Sequence, residues 1–247
     1  MKSIVVKIDN LDDHIPKMIQ HVEIDDDFNA EIKVGTLPDS LHTLEFGNHF
    51  DHELKPKVLP DGLHTLQIGD FCDQEIKPKV LPYKLHTLKF GYAFNHEIKP
   101  NVLPDGLHTL EIRGAFNQAI KPNALPDSLH TLQFGYLFDQ EIKPNTLPTN
   151  LHTLQFGNRF DQAIKPNTLP DSLHTLQFGK KFNQVIQQNS LPHNLRILQF
   201  GYLFNQEIKP NILPSSLRIL RCTEYFRDNR VAKGAIPQNA VIEIRYY

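Results

Sequence analysis

Residues 129–150 read Leu129-His130-Thr131-Leu132-Gln133-Phe134-Gly135-Tyr136-Leu137-Phe138-Asp139-Gln140-Glu141-Ile142-Lys143-Pro144-Asn145-Thr146-Leu147-Pro148-Thr149-Asn150, and at Leu151 the same phrase begins again. Started from its Leu-Pro step, the phrase has the form L-P-x-x-L-H-T-L-x-F-G-x-x-F-x-x-x-I-K-P-N-x and is written nine times. The step falls at Pro38, Pro60, Pro82, Pro104, Pro126, Pro148, Pro170, Pro192 and Pro214, always 22 residues apart, and Ile15-Pro16 adds a degenerate copy before them. A fixed period of this length is the mark of a solenoid in which each copy is one coil. A single inserted residue would throw every column out of line, so the coils must stack in register.

Within a coil, Leu44 and Phe46 alternate with Thr43 and Glu45, the period-2 pattern of a short strand with one buried face. Strands one coil apart must run parallel, because every coil circles in the same direction. The rest of the coil cannot be a regular helix. Of the 18 prolines, ten stand in the Leu/Ile-Pro column and seven at Pro56, Pro78, Pro100, Pro122, Pro144, Pro166 and Pro210, leaving Pro237 outside both. Proline at this density predicts an extended return path with tight turns. A glycine column (Gly47, Gly69, Gly91, Gly135, Gly157, Gly179, Gly201) marks the exit from the strand and predicts a special backbone angle there.

These features predict a mainly β fold: a leucine-rich-repeat-like solenoid of about ten 22-residue coils, with a parallel β-sheet on one face and little or no helix. The expected organisation is an N-terminal cap strand in residues 1–14, the solenoid in 15–220 and a C-terminal cap in 221–247. Ile4-Val5-Val6-Lys7-Ile8 suits the first cap. In the second, Ile236-Pro237 falls one residue late, so a slipped register is expected, closed by an irregular strand of Val241, Ile242, Ile244, Tyr246 and Tyr247. One coil cannot hold itself together. Six inward side chains such as Leu37, Leu41, Leu44, Phe46, Phe50 and Leu54 give about 1.5–3 kcal/mol each. Ordering the backbone costs roughly 1–2 kcal/mol per residue, so coils must bury their faces against one another.

Composition narrows the function classes. With 26 basic and 28 acidic residues the net charge is −2, which supplies no long-range field toward nucleic acid or an anionic membrane. No apolar run approaches the length of a membrane span, and Met1-Lys2-Ser3-Ile4-Val5-Val6-Lys7-Ile8-Asp9 is charged too early for a signal peptide. An intracellular protein is expected, with neither nucleic acid nor membrane as partner. Cys72 stands in the column of Phe50, Phe94 and Phe138, and Cys222 in that of Phe46 and Phe200. Seven coils of about 5 Å separate them, far beyond disulfide reach. Both read as buried thiols.

The residues then carry a resemblance. Phe94-Asn95-His96-Glu97-Ile98-Lys99-Pro100-Asn101, repeated as Phe204-Asn205-Gln206-Glu207-Ile208-Lys209-Pro210-Asn211, resembles the FNIP repeat over roughly residues 15–220. That family occurs in social amoebae and giant amoebal viruses and is similar to leucine-rich repeats. The resemblance implies an interaction solenoid, placed in the host cytoplasm if the chain is viral. Some members of the family carry an amino-terminal F-box. With about 14 residues before the first degenerate coil, that module is not expected here. Counted from Leu41 as a leucine-rich repeat, the asparagine slot holds His49, so no asparagine ladder is expected at that turn.

Several columns invite a chemical reading. His42, His64, His86, His108, His130, His152 and His174 form a row, but zinc needs three or four ligands converging on a point, and a corner residue bonding backbone or stacking on its neighbour fits better. The Thr43-to-Thr175 ladder lacks the second threonine column of an ice-binding face. The lysines Lys33, Lys55, Lys77, Lys99, Lys121, Lys143, Lys165 and Lys209 are offset by Glu31, Glu53, Glu75, Glu97, Glu141 and Glu207 two residues earlier, which predicts a screened surface rather than a phosphate track. No convergent carboxylate pair, Ser-His-Asp set or P-loop appears, so the chain reads as non-enzymatic, with a β-solenoid lyase as the enzyme alternative. No cofactor is expected.

Variation among the repeats points elsewhere. Core columns barely change, while the exit-turn pairs change freely: Asn48-His49, Asp70-Phe71, Tyr92-Ala93, Gly114-Ala115, Tyr136-Leu137, Asn158-Arg159, Lys180-Lys181 and Tyr202-Leu203. Arg113 replaces the column glycine and pushes Gly114 one place on. Tyrosine and arginine are enriched in binding hot spots, so Tyr92, Arg113, Tyr136, Arg159, Lys180, Lys181 and Tyr202 are the candidate partner-binding residues. The expected function is protein–protein interaction on the strand face by a monomer; the alternative is a structural part of a larger assembly such as a virion.

Overall fold

The structure is a computed structural model that describes the backbone of residues 5–8 and all of residues 15–246. Among these, twelve strands form one sheet in strict chain order. They are β1 (Val5–Ile8), β2 (His21–Ile24), β3 (Thr43–Glu45), β4 (Thr65–Gln67), β5 (Thr87–Phe90), β6 (Thr109–Ile112), β7 (Thr131–Phe134), β8 (Thr153–Gln155), β9 (Thr175–Gln177), β10 (Ile197–Gln199), β11 (Ile219–Cys222) and β12 (Val241–Ile244). Every pairing is parallel, and from β2 to β12 each register step is 22 residues, as in Leu110↔Leu132 and Leu132↔Leu154. The strands alternate buried leucine with half-buried threonine and glutamine, the one-sided pattern read from the sequence.

The coils are tied together on both sides of each strand. Ahead of it, His64 and Thr65 donate their N–H groups to the His42 carbonyl at 2.8 and 3.0 Å, and this fork repeats along the column. Beneath the sheet, phenylalanines stack within coils and across them. Phe134 and Phe138 lie 3.8 Å apart between ring centroids, and Phe138 faces Phe116 and Phe160 at 6.0 and 6.1 Å. Cys72 and Cys222 are buried in the aromatic columns, where desolvation pushes both thiols up to about 11 and keeps them unreactive.

The glycine column needs a different explanation from the expected one. Its members from Gly47 to Gly201 do not adopt positive φ. A β-carbon there would overlap the backbone of the preceding coil, chiefly its exit-turn carbonyl. Close approach fixes glycine here. The left-handed angle lies instead in the column after the second proline, with φ of 61–69° at Lys57, Lys79, Asn101, Asn123, Asn145, Asn167, Asn189 and Asn211. Lys55-Pro56-Lys57-Val58 closes with Val58 N–H donating to Lys55 O at 3.2 Å, the pattern of a type II turn with proline second and a positive φ third. Asparagine tolerates that angle better than most side chains.

The turn after each phenylalanine also corrects an expectation. A ladder of side-chain oxygens is present, two residues beyond the slot held by His49. Asn29 Oδ1 accepts from Asp51 N–H, Asp51 from Asp73, Asp73 from Asn95, and so on through Asn183 to Asn205, at 2.8–3.1 Å. Only an acceptor oxygen is needed, so Asn and Asp alternate freely, which hides the ladder from a search for asparagine.

At the C-terminal end, α1 (Glu224–Arg230) follows β11, capped by Thr223 and placing Phe226 against Phe200 and Phe204 at 5.5 and 5.0 Å. This seven-residue helix falls within the expected cap, residues 221–247, and was not read from the sequence. The expected slip also heals: Ala235 fills the leucine column, 4% exposed, and Val241 pairs with Ile219, again 22 residues back. At the other end β1 pairs with β2. Ile4 and Tyr247 lie outside the described residues.

Candidate partner-binding groove

The exit turns are built on a second inter-coil ladder. Ala93 N–H donates to Asp70 O, Ala115 to Tyr92 O, Leu137 to Gly114 O, Arg159 to Tyr136 O, Lys181 to Asn158 O and Leu203 to Lys180 O, all at 2.7–3.0 Å. Each turn is therefore held one coil step, about 4.8 Å, from the next. Variable side chains are displayed on an invariant backbone.

Along this edge and the neighbouring strand face runs a groove of 770 Å³. Its floor carries Glu111, Gln133, Gln155, Gln177 and Gln199; its edge carries Tyr92, Arg113, Tyr136, Asn158, Lys180 and Tyr202. Five of the seven candidate residues thus line one cavity. Arg159 is exposed and does not line the groove, but its guanidinium is 5.7 Å from the Tyr136 ring centre, and Lys180 holds its ammonium 6.0 Å from that of Tyr202, within cation–π reach. Lys181 is exposed on the same turn as Lys180 but does not line the groove. The three tyrosines are 44–53% exposed. The glutamine floor was not singled out from the sequence, although its unbroken column from Gln133 to Gln199 was there to be read.

The other columns settle into structure. Neighbouring histidine rings from His42 to His174 sit 4.9–5.3 Å apart. Burial, followed by the charge of their neighbours, lowers the pKa of His86 and His174. Among the described residues no group of three or more His, Cys, Asp and Glu side chains could hold a metal ion. Five of the column lysines pair across coils rather than within them. Lys55 reaches Glu31, Lys77 Glu53, Lys99 Glu75, Lys121 Glu97 and Lys165 Glu141, at 2.5–2.6 Å. Stacking brings the glutamate of the preceding coil closer than the one two residues back. No described helix is long and apolar enough to cross a membrane.

Parallel coils, a leucine ladder and an oxygen ladder at the turn define a leucine-rich-repeat-like solenoid. The FNIP repeat model matches residues 10–49, 50–93, 94–137, 138–181 and 182–221, and the chain belongs to that family. Among solved structures it is similar to CroV588, a circular leucine-rich-repeat protein of a giant virus, at 39% identity and a TM-score of 0.88 over 92% of this chain and 33% of that one. The chain therefore spans about a third of that protein's length. It also matches YopM from Yersinia enterocolitica at 25% identity and a TM-score of 0.46, over 88% of this chain and 52% of that one. No curated protein matches it in sequence.

Proposed function

We propose that this chain is a non-enzymatic interaction scaffold that binds a partner protein along the groove between its strand face and its exit turns. Leucine-rich-repeat-like folds typically serve as such scaffolds. The observation that carries the reading is the convergence of Tyr92, Arg113, Tyr136, Lys180 and Tyr202, from five different coils, on one 770 Å³ groove. The partner is intracellular, in a host cytoplasm if the chain is viral, consistent with two thiols kept buried.

Alanine at Tyr92, Arg113, Tyr136, Arg159, Lys180, Lys181 and Tyr202 together should abolish partner capture without unfolding the chain, because exposed substitutions usually stay within about 0.5 kcal/mol each. Alanine at Lys99, Lys121 and Lys143, on the opposite lysine stripe, should leave capture intact. The reverse result would move the binding face to that stripe. A second reading, a structural part of a larger assembly, draws on the likeness to one third of a circular protein; it would show as end-to-end association insensitive to the groove variants.

A further inference from the structure

Arg113 stands where seven other coils from Gly47 to Gly201 require glycine, because a side chain there runs into the coil before. The chain admits it by moving the glycine to position 114, which takes φ of +55° and itself lies against Tyr92. Arg113 N–H still reaches Phe90 O, at 3.4 Å. Between Gly47 and Gly201 the tightest steric rule of the repeat is relaxed once, and the side chain thereby admitted is an exposed guanidinium on the groove edge.

The cations on this edge also differ from the paired lysines of the opposite stripe. Five lysines of the opposite stripe each hold a glutamate of the preceding coil. Among the described residues Arg113, Arg159, Lys180 and Lys181 have no carboxylate partner. The one acid on the groove floor, Glu111, is already met by Lys89 at 3.7 Å. The side-chain amides of Gln133, Gln155 and Gln177 make no hydrogen bond to described residues either. Arg113 and Lys180 therefore line the groove, and Arg159 and Lys181 stand exposed on the same exit turns, beside the open amides of Gln133, Gln155 and Gln177, on a chain whose net charge is −2.

Resting on the interaction-face reading above, we infer that the groove takes an extended, acidic segment of a partner protein. Its carboxylates meet Arg113, Arg159, Lys180 and Lys181, and the amides of Gln133, Gln155 and Gln177 bond its main chain. From the Arg113 coil to the Lys180 coil is three steps, about 14 Å, the reach of four or five extended residues. Cation–π contact keeps the Arg159 and Lys180 heads at the edge while leaving their N–H donors free. The same contact covers one face of Tyr136 and of Tyr202, which favours a peptide over a nucleic-acid strand that would stack its bases there. The start of the same edge carries Asp25, Asp26, Asp27 and Asp70, carboxylates that a second copy of the chain would offer, and sedimentation separates that case.

The test pans the full chain against a displayed library of random peptides of about a dozen residues, ~40 Å when extended, and measures labelled winners by fluorescence anisotropy. The expected winners are net acidic. Their affinity falls tenfold or more in R113E/R159E/K180E/K181E, weakens with salt, and is unchanged in K99E/K121E. Circular dichroism confirms that both variants remain folded. Neutral winners, or acidic winners bound equally by the groove variant, would overturn the inference, as would an empty selection. Neutral winners lost on Ala substitution of Tyr92, Tyr136 and Tyr202 would leave the interaction face standing without its acidic partner; indifference to both variants would remove both. Two further outcomes also overturn it: tighter binding of a labelled oligouridylate, or a dimer in sedimentation that the groove variant dissolves.

Discussion

A β-carbon on Gly69 would sit inside the van der Waals shell of the Gly47 carbonyl oxygen, so one coil's exit turn rides directly on the next. The same holds for Gly157 above Gly135. Gly157→Ala should cost about 1–3 kcal/mol, the usual penalty for overpacking, read as a drop in melting temperature. Gly114→Ala should cost at least as much, because overlap with Tyr92 adds to a positive φ. Were both neutral, the coils would be spaced more loosely than the inter-coil hydrogen bonds require.

Phe138 is fully buried between four phenylalanines. Phe138→Ala should destabilise the chain by roughly 3–5 kcal/mol through the cavity left behind. Urea titration followed by circular dichroism would give the value, and a loss below 1 kcal/mol would mean that the aromatic columns close over the gap.

The oxygen ladder makes a chemically selective forecast. Asn117 Oδ1 accepts from Asp139 N–H at 2.9 Å and from Gln140 Nε2 at 3.1 Å. Asn117→Ala strands a half-buried donor and should cost about 1–3 kcal/mol. Asn117→Asp keeps the acceptor, as neighbouring coils do, and should cost far less. Equal losses for the two variants would argue that the ladder contributes little.

Much of this was legible in the sequence, for reasons that particular residues make plain. Leu132 and Phe134 are read easily because burial demands apolar side chains at every coil. The Gly135 column was visible, but its cause was not: glycine in a sequence looks the same whether it serves a positive φ or a close approach. The positive φ went to Asn145, whose place after Pro144 is a type II signal that was available. Asn117 and Asp139 escaped notice because the ladder needs an oxygen rather than an identity. The helix from Glu224 left a readable trace in Thr223, an acid in its first turn and arginines in its last. Five side chains of the groove edge were singled out from variation and the hot-spot bias of tyrosine and arginine, while the floor and the unpaired cations depend on which columns stacking brings together.

The histidine row gives a pH dependence whose sign follows from burial. His86 and His174 have folded pKa values below the ordinary 6.5, through desolvation first and neighbouring charge second. Between the folded and unfolded values the unfolded chain binds more protons, so stability rises with pH in that window. Lowering the pH through 6.5 should therefore reduce the melting temperature, and replacing both histidines with glutamine should flatten that limb. The paired carboxylates Glu31, Glu75 and Glu141, held below 4.5 chiefly by hydrogen bonds from Lys55, Lys99 and Lys165, act separately. Their contribution is lost only as the pH falls below 4.5. A melting temperature flat from pH 7.5 to 5 would contradict the first limb.

The most direct measurement of the binding face places a photo-crosslinking phenylalanine analogue at Tyr136 in one preparation and at Lys121 in another, and irradiates each in extract of the source cell. The expected result is a discrete partner crosslinked from position 136, absent from position 121 and lost when Arg113, Arg159, Lys180 and Lys181 are reversed in charge. Crosslinking of that partner from position 121 alone would contradict the groove as the binding surface.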